Sequence, residues 1–369
     1  MKTLGEIAKY LDGELRGDAA VKITRIVHPA LVRGPEDLAF VLSGNALEIL
    51  EQYKIANAVI PAGLGAANVP NSVLVPRPRL ALARLLELFE QPAYSASGIH
   101  PTAVIDPSAK LGQRVSVGPH CWVGPHAVIE DDTRLISNVS IGADVRIGNN
   151  CLIHAGVFVG DRCQIGSRVI IQPNASIGGD GFSFVTPERG SVESVRPNKK
   201  TEVTSFNTEI VRVNSIGNVI IEDDVEIGAC TCVDRGTLGA TRIGAGSKLD
   251  NLIQVGHNAT IGKNCLIVAL AGLGGSSKVG DRVVVGGQAG VPDHMTVGDD
   301  AVIWSQAGIV GDVPPKQAVG LTPAMPVREC LEREVQLKRL PSMYKQLKQL
   351  QKTVAELEQE LRSKVNGAD

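Results

Sequence analysis

A small set of polar residues in the second half of the chain has the composition of a proton-transfer site. His257 is followed 18 residues later by Gly275, and 18 residues after that by Asp293 with His294 beside it. Imidazole exchanges protons near neutral pH, and a carboxylate partner such as Asp250 would fix its tautomer. A backbone N–H at Gly275, in the run LGGSS, would suit a developing oxyanion. These groups together suit acyl transfer by direct attack of an amine or a hydroxyl group.

The 18-residue spacing matters because the chain repeats every six residues. Every sixth residue of 99–177 is Ile, Leu or Val, and the position four residues after each is small or β-branched. The period resumes over 221–233, slips by four residues, and then runs unbroken over 243–309. A hexapeptide period is typical of a parallel β-helix, whose coils have three flat faces and about 18 residues each. We therefore predict a mainly β protein with a left-handed parallel β-helix over residues 99–312.

Residues that lie 18 apart in such a coil stack on the same face. His257, Gly275 and the Asp293–His294 pair are therefore predicted to form one column on the outer surface. Asp250 precedes His257 by seven residues, just over one face. The sequence leaves open whether Asp250 reaches a histidine of its own chain or one of an adjacent subunit.

The other histidines and the cysteines do not form a convincing metal site. His120 and His126 occupy the same slot of successive hexads, hence different faces. His100 and His154 share a column but lie three coils apart, about 14 Å at the usual strand spacing. We expect no metal and no cofactor. Four cysteines occupy inward slots, where a thiol is a small apolar filler; they are Cys121, Cys151, Cys163 and Cys265.

The segments outside the coil predict two further parts. Residues 1–98 combine helical spacing with short β-like runs and predict a small α/β domain. A loop insertion is expected at about 178–215, where the period is interrupted. The tail, 313–369, is predicted to be helical, with apolar residues over 340–361 at alternating spacings of three and four. That seam predicts a coiled coil that clamps an oligomer; a helix folded back on its own domain is the alternative.

Charge and hydropathy narrow the functional classes. The formal net charge is −2, so the chain lacks the strong positive charge that is typical of nucleic-acid-binding proteins. The start, MKTLGEIAKYL, has no apolar core of a signal peptide, and no apolar run approaches the ~20 residues of a membrane span. Free thiols without a signal predict a cytoplasmic location.

Five motifs connect the chain to a known family. They are DNLIQVGHN (250–258), DRGTLGATRIG (234–244), IGGDGFSF (177–184), AGVPDHMTVG (289–298) and GLTPAMPVRE (320–329). The chain closely resembles the UDP-3-O-(3-hydroxyacyl)glucosamine N-acyltransferase family over nearly its whole length. The resemblance implies a step of lipid A biosynthesis. In that step a (3R)-3-hydroxyacyl chain moves from acyl carrier protein to the 2-amino group of a UDP-linked, 3-O-acylated glucosamine. It also implies a homotrimer with active sites between subunits.

The resemblance assigns roles to the residues of the predicted column. It implies that His257 is the catalytic base and Asp250 its partner. It implies that Gly275 donates the oxyanion N–H and that His294 contacts the phosphates of the sugar nucleotide. The column argument and the resemblance thus select the same residues.

The resemblance also places a uridine-nucleotide site in the first domain. Phe40 matches the first aromatic residue of that site. The family's second aromatic is replaced by Ala46 and its Asn by Ser43, and Asn45 is expected to compensate.

Acyl carrier protein is acidic, so a basic start of the tail is a candidate docking surface. Peripheral membrane association also stays open. Two other classes remain alternatives: another β-helix O-acyltransferase or acetyltransferase, and a non-catalytic β-helix scaffold. The candidate docking residues are Arg328, Arg333, Lys338, Arg339, Lys345 and Lys348.

Overall fold

The chain divides into two compact units, Met1–Tyr94 and Ser95–Asp369. They are described here in a computed structural model. The described residues are 1–42, 47–64, 68–91, 93, 95, 98–195, 202–320 and 325–365.

The first unit is an α/β domain built on a five-stranded sheet in the order β2-β7-β6-β5-β4, with β2 antiparallel and the others parallel. Alternate residues of the inner strands enter two apolar clusters, as expected for a sheet covered on both sides. The strands are β1 Lys2–Thr3, β2 Glu14–Arg16, β3 Lys22–Ile23, β4 Arg25–Val27, β5 Asp37–Phe40, β6 Asn57–Pro61 and β7 Asn71–Val75. The helices are α1 Leu4–Leu11, α2 Leu47–Gln52 and α3 Pro78–Phe89, with 3₁₀ turns at Pro29–Leu31 and Ala62–Leu64.

The second unit is a parallel β-helix, which confirms the predicted fold class. Its three faces are parallel sheets of ten, nine and nine strands. Face 1 contains β10 Ser116–Val117, β13 Arg134–Leu135, β16 Leu152–Ile153, β19 Ile170–Ile171, β24 Glu226–Ile227, β27 Lys248–Leu249, β30 Leu266–Ile267, β33 Val284–Val285, β36 Val302–Ile303 and β37 Ala318–Val319. Face 2 contains β8 Val104–Ile105, β11 Trp122–Val123, β14 Ser140–Ile141, β17 Phe158–Val159, β20 Ser176–Gly179, β25 Cys232–Asp234, β28 Gln254–Val255, β31 Gly272–Leu273 and β34 Gly290–Val291. Face 3 contains β9 Lys110–Leu111, β12 Val128–Ile129, β15 Arg146–Ile147, β18 Gln164–Ile165, β23 Asn218–Ile221, β26 Ala240–Ile243, β29 Thr260–Ile261, β32 Lys278–Val279 and β35 Thr296–Val297.

The inward residue of each hexad forms the core. Val233, Val255 and Leu273 are aligned on successive coils of face 2 and are at most 2% exposed. At most corners the chain turns through a non-glycine residue in the left-handed region, with φ between 51° and 64° within the coil. Such a residue costs about 1–2 kcal/mol in an unconstrained chain, so the stacked core must hold it in place.

Inward cysteines do more than fill space. The Sγ atoms of Cys151 and Cys265 lie 3.1 Å and 3.0 Å from the carbonyl oxygens of Gly166 and Gly280, to which their thiols donate. Ser247 makes the equivalent bond to Gly262 through its hydroxyl. The thiols therefore satisfy corner carbonyls as well as packing in the core, and burial raises the pKa of both.

The hexapeptide period breaks twice before Ile309. Between β20 and β23 the chain leaves the coil as an insertion that contains the antiparallel pair β21 Phe184–Val185 and β22 Val211–Arg212 and the short helix α4 Ser191–Val195. Between β25 and β26 a second excursion, residues 235–239, replaces an ordinary corner. Arg235 connects the two breaks, since its backbone N–H donates to the carbonyl of Gly179 and its Nε–H to that of Gly178.

The coil ends later than its sequence predicts. After Ile309 the inward positions are Val313, which bridges to Val297, and Val319, which pairs with Ile303. The expected end at 312 is therefore corrected to Val319. The period of six is lost around the two prolines that follow Val313, although stacking continues.

The tail forms one long helix, α5 Val327–Val365, with Pro341 inside it. The apolar residues of the predicted seam are 52–63% exposed, so the alternative of a helix folded back on its own domain is wrong. None of the helices in the described ranges combines the length and apolar content that a membrane span needs. The seam residues are Leu340, Met343, Leu347, Leu350, Val354, Leu357 and Leu361.

The register of face 3 can be tested with two adjacent residues. Ile261 is 1% exposed, whereas Thr260 points outward between Arg242 and Lys278 of the neighbouring strands. Ile261→Asp should abolish soluble folded protein because it buries an unpaired carboxylate. Thr260→Asp should change the free energy of unfolding by no more than about 0.5 kcal/mol. Thermal unfolding and soluble yield measure both, and equal effects would contradict the register.

Candidate active site

The predicted column exists on the corner between faces 2 and 3. The carbonyl of His257 accepts the N–H of Ser276 at 2.8 Å, and the carbonyl of Gly275 accepts the N–H of His294 at 3.0 Å. These bonds join three successive coils. The structure therefore brings His257, Gly275 and His294 to one edge, as the 18-residue spacing predicts, with the side chain of His294 exposed.

The imidazole of His257 lies between two glycines. A Cβ atom added to Gly275 would lie 2.8 Å from Nε2 of His257. A Cβ atom added to Gly181 would lie 2.8 Å from Cβ of His257. Neither distance is tolerated by real side chains, so the ring occupies space that only glycine leaves free. Gly181 belongs to the insertion, which thus covers one side of the ring.

Asn258 and a residue of the second break supply polar contacts to the same ring. The Nδ1 atom of His257 lies 3.3 Å from Oδ1 of Asn258 and 3.4 Å from Oγ1 of Thr237. Both partners come from the same chain as the histidine. The Nε2 atom, on the opposite side of the ring, faces Gly275.

A half-buried carboxylate lies beside the histidine. Burial raises the pKa of Asp234 above its usual value, and nearby Asp180 raises it further, while a hydrogen bond from Gln254 and the proximity of His257 lower it. Groups with shifted pKa values are common at functional sites. Asp234 therefore adds a titratable group to this edge of the coil.

Asp250 lies on a different corner, between faces 1 and 2. The strand β28 separates it from His257, and its carboxylate oxygens accept the backbone N–H groups of Asn251 at 2.7 Å and Ala269 at 3.1 Å. The structure does not bring Asp250 and His257 of one chain together. Asp250 instead lines a shallow recess on face 1 with Glu226.

The Gly275 amide differs from the expected free donor. Its N–H donates to Oδ1 of Asp293 at 2.8 Å. The same bond recurs at other corners, for example from Lys263 to Asp281 at 2.7 Å. The amide therefore points along the coil axis into a corner interaction typical of this fold, and an oxyanion would have to displace the Asp293 carboxylate to reach it.

The first unit contains the other predicted contact. Phe40 ends β5 and is 8% exposed, because its ring packs in an apolar cluster with Leu38 and Val59. At the start of the same strand, Asp37 is held by two bonds from Arg25, each 2.8 Å long, which lower its pKa to about 2. Asn45, Ser43 and Ala46 lie outside the described residues.

Several residues around His257 could not be predicted from the six-residue period. Gly181 and Thr237 share one signal, because they lie where the six-residue period fails, and Asp234 ends β25 immediately before the second break. Within the described ranges, no three His, Cys, Asp or Glu side chains converge as metal ligands. The missed residues are Gly181, Asp234, Thr237 and Asn258.

The role of Gly275 as space for the imidazole predicts a contrast with Gly272 on the same coil. A Cβ on Gly272 meets nothing within 4 Å, and neither glycine has a positive φ. Gly275→Ala should displace the ring and lower the free energy of unfolding by about 1–3 kcal/mol. Gly272→Ala should raise it by about 0.4–1 kcal/mol. Thermal unfolding and crystal structures of the two variants would measure this, and an undisturbed ring in Gly275→Ala would refute it.

The chain is similar in sequence and in fold to known transferases. A profile described as "Bacterial transferase hexapeptide (six repeats)" matches residues 126–161 and 144–179. The chain is similar in fold to the Arabidopsis UDP-N-acetylglucosamine acyltransferase, with a TM-score of 0.51 and 23% identity over 60% of this chain and 71% of that one.

Two relatives span almost the full length. UDP-3-O-acylglucosamine N-acyltransferase 3 of Gloeobacter violaceus is 47% identical, covering 98% of this chain and 99% of its own. The UDP-3-O-acylglucosamine N-acyltransferase of Syntrophotalea carbinolica is 43% identical, covering 97% and 98%. The chain therefore belongs to the UDP-3-O-acylglucosamine N-acyltransferase family and is an acyltransferase.

Proposed function

We propose that the protein transfers a (3R)-3-hydroxyacyl chain from acyl carrier protein to the 2-amino group of UDP-3-O-acylglucosamine, as a cytoplasmic step of lipid A biosynthesis. The family, named for this substrate, supports the acceptor. The observation that supports the chemistry is the position of the His257 imidazole. Its Nδ1 atom has acceptors from its own chain, and its Nε2 atom faces Gly275. A histidine held in this way suits a general base.

The proposed reaction is a direct acyl transfer. The amine nitrogen attacks the thioester carbonyl and a C–N bond forms. Nε2 of His257 takes the proton that the nitrogen loses. The C–S bond then breaks, the electron pair leaves with sulfur, and the proton returns to the carrier thiolate. No cofactor enters this balance.

The oxyanion of the tetrahedral intermediate is assigned to the Gly275 N–H. Because that amide donates to Asp293 at 2.8 Å, the proposal requires the Asp293 carboxylate to turn away or share the donor when the thioester binds. Gly275 then has two functions, a donor for the oxyanion and open space for the imidazole of His257.

The nucleotide part of the acceptor is assigned by the family resemblance. His294 is exposed one coil beyond Gly275, which suits a contact to the phosphates. Phe40 and Asn45 of the first unit are proposed for the uracil. Phe40 is only 8% exposed, so little of it is open to a base within the single chain.

Two surfaces support the proposed partners. The first part of α5 carries exposed basic residues, including Arg328 and Arg333, which suit an acidic acyl carrier protein. Around Asp250, exposed Leu252 and Leu270 adopt left-handed corners, where most positions of the coil carry polar residues. Exposed apolar residues at such corners suit a contact with another subunit.

His257→Ala tests the proposed chemistry. With hydroxyacyl carrier protein and the UDP-acylglucosamine as substrates, kcat should fall by ~10²–10⁴-fold, the usual contribution of a general base. His126→Ala is a control, because His126 is exposed at a corner of another coil, whereas His257 is partly enclosed. Circular dichroism and thermal unfolding of both variants should match the wild type. Near-full turnover by His257→Ala would remove the residue from the mechanism.

A second prediction concerns assembly into a homotrimer. If Asp250 of one subunit serves the His257 site of another, Asp250→Ala and His257→Ala should each be inactive alone. Refolded together in equal amounts, they should recover activity in about a quarter of the sites, those with both intact residues. Light scattering should give a trimer in each case.

The control for this complementation is a mixture of His257→Ala and His257→Gln, which cannot restore any site. A mixture of the Asp250 and His257 variants that stays inactive would contradict a site shared between subunits.

Deletion of the chain after Leu340 should weaken the trimer and leave the coil folded, since the coil has its own core.

A further inference from the structure

We propose that Asn258 fixes the tautomer of His257 by accepting the Nδ1 proton, which leaves Nε2 as the base. Asn258 is then a positioning residue, and the carboxylate of Asp250 is not the Nδ1 partner. This inference rests on the proposed function and deepens it. It goes beyond the family resemblance, which assigns the partner role to Asp250.

The amide of Asn258 can adopt only one orientation. Its Oδ1 accepts the backbone N–H of Thr237 at 2.9 Å, and its Nδ2 donates to the carbonyl of Leu238 at 2.6 Å. A flipped amide would place N–H groups against an N–H and oxygen against oxygen. Oδ1 is therefore the atom that faces His257.

An acceptor at 3.3 Å from Nδ1 decides where the imidazole proton lies. Since Oδ1 cannot donate, the favourable neutral form of His257 has the proton on Nδ1. Nε2 then has a free lone pair and faces Gly275, where a substrate amine is proposed to bind. The hydroxyl of Thr237, 3.4 Å from Nδ1, can rotate to accept as well and does not oppose this tautomer.

The neighbouring fold keeps Asn258 in place. The residue is a left-handed corner with φ of 60°, a conformation that Asn tolerates well. Its own N–H donates to Oγ1 of Thr241 at 2.9 Å. Both partners of the Asn258 amide, Thr237 and Leu238, lie in the second break of the period. This excursion therefore fixes the orientation of the Asn258 side chain.

A neutral acceptor suits this position because acidic groups already surround it. Asp234 on β25 interacts with His257, and Asp293 lies against Gly275, whereas Asp180, which is close to Asp234, is itself paired with Arg212 at 3.0 Å and lies 3.9 Å from Arg235. Another carboxylate at Nδ1 would favour the imidazolium, which cannot accept a proton. An amide orients the ring without adding charge.

The test uses long-range proton–nitrogen NMR correlation on full-length protein labelled with ¹⁵N-histidine, with His257→Ala to assign the signal. Wild type at a pH where the ring is neutral should show the Nδ1–H tautomer. Asn258→Gly, which keeps the left-handed corner, should shift His257 toward Nε2–H and lower kcat, by at most the ~10⁴-fold that a wholly wrong tautomer costs. Asn258→Asp should restore the Nδ1–H tautomer and move the acidic limb of the kcat/KM profile to higher pH.

Two controls complete the experiment. Asn264→Gly changes another left-handed Asn, with φ of 54°, at the next corner of the same coil, and should leave both tautomer and rate unchanged. Asp250→Asn should leave the tautomer unchanged. An Nε2–H tautomer in the wild type, or a tautomer that depends on Asp250 and not on Asn258, would overturn the inference. Absence of N-acyl transfer by the wild type would instead overturn the proposed function.

Discussion

The stacking of one inward apolar residue per hexad is the interaction on which the rest of the structure depends. It fixes a coil of about 18 residues, so a residue's number determines what lies above and below it. Each strand is only two residues long over most of the coil, and no single strand could be stable alone. Continuous burial along three faces makes the corners rigid enough to hold left-handed residues and, at one corner, the partly enclosed imidazole of His257.

Departures from that regularity build the site. A corner of the ordinary kind exposes its side chains to water and cannot enclose an imidazole. The insertion brings Gly181 against one side of His257, and the excursion at 235–239 brings Thr237 to its Nδ1 atom. Arg235 joins the two departures through the carbonyls of Gly178 and Gly179. The regular coil thus holds the backbone of His257 in a rigid position, and the irregular segments supply the residues around its imidazole ring.

Periodicity predicts the positions that obey it and little else. The fold, the inward residues and the column of His257, Gly275 and His294 all follow from counting in sixes. The six-residue period cannot predict the position of Gly181, because this residue lies in an insertion that does not follow the period. It also missed the bond from the Gly275 amide to Asp293, since spacing gives the neighbour of an amide but not its direction. The coil end at Val319 was missed because stacking outlasts the sequence period.

Two features of the single chain have no partner within it, and the proposed trimer would account for both. The seam of α5 exposes seven large apolar residues along one helix, and water does not favour such a surface. Asp250 lies among exposed leucines on a corner that its own His257 does not reach. If Asn258 accepts the Nδ1 proton of His257 as proposed, the Asp250 carboxylate of another subunit would be free to act on the substrate amine. Division of labour between a neutral acceptor within the chain and a charged group across an interface would then couple activity to the oligomer.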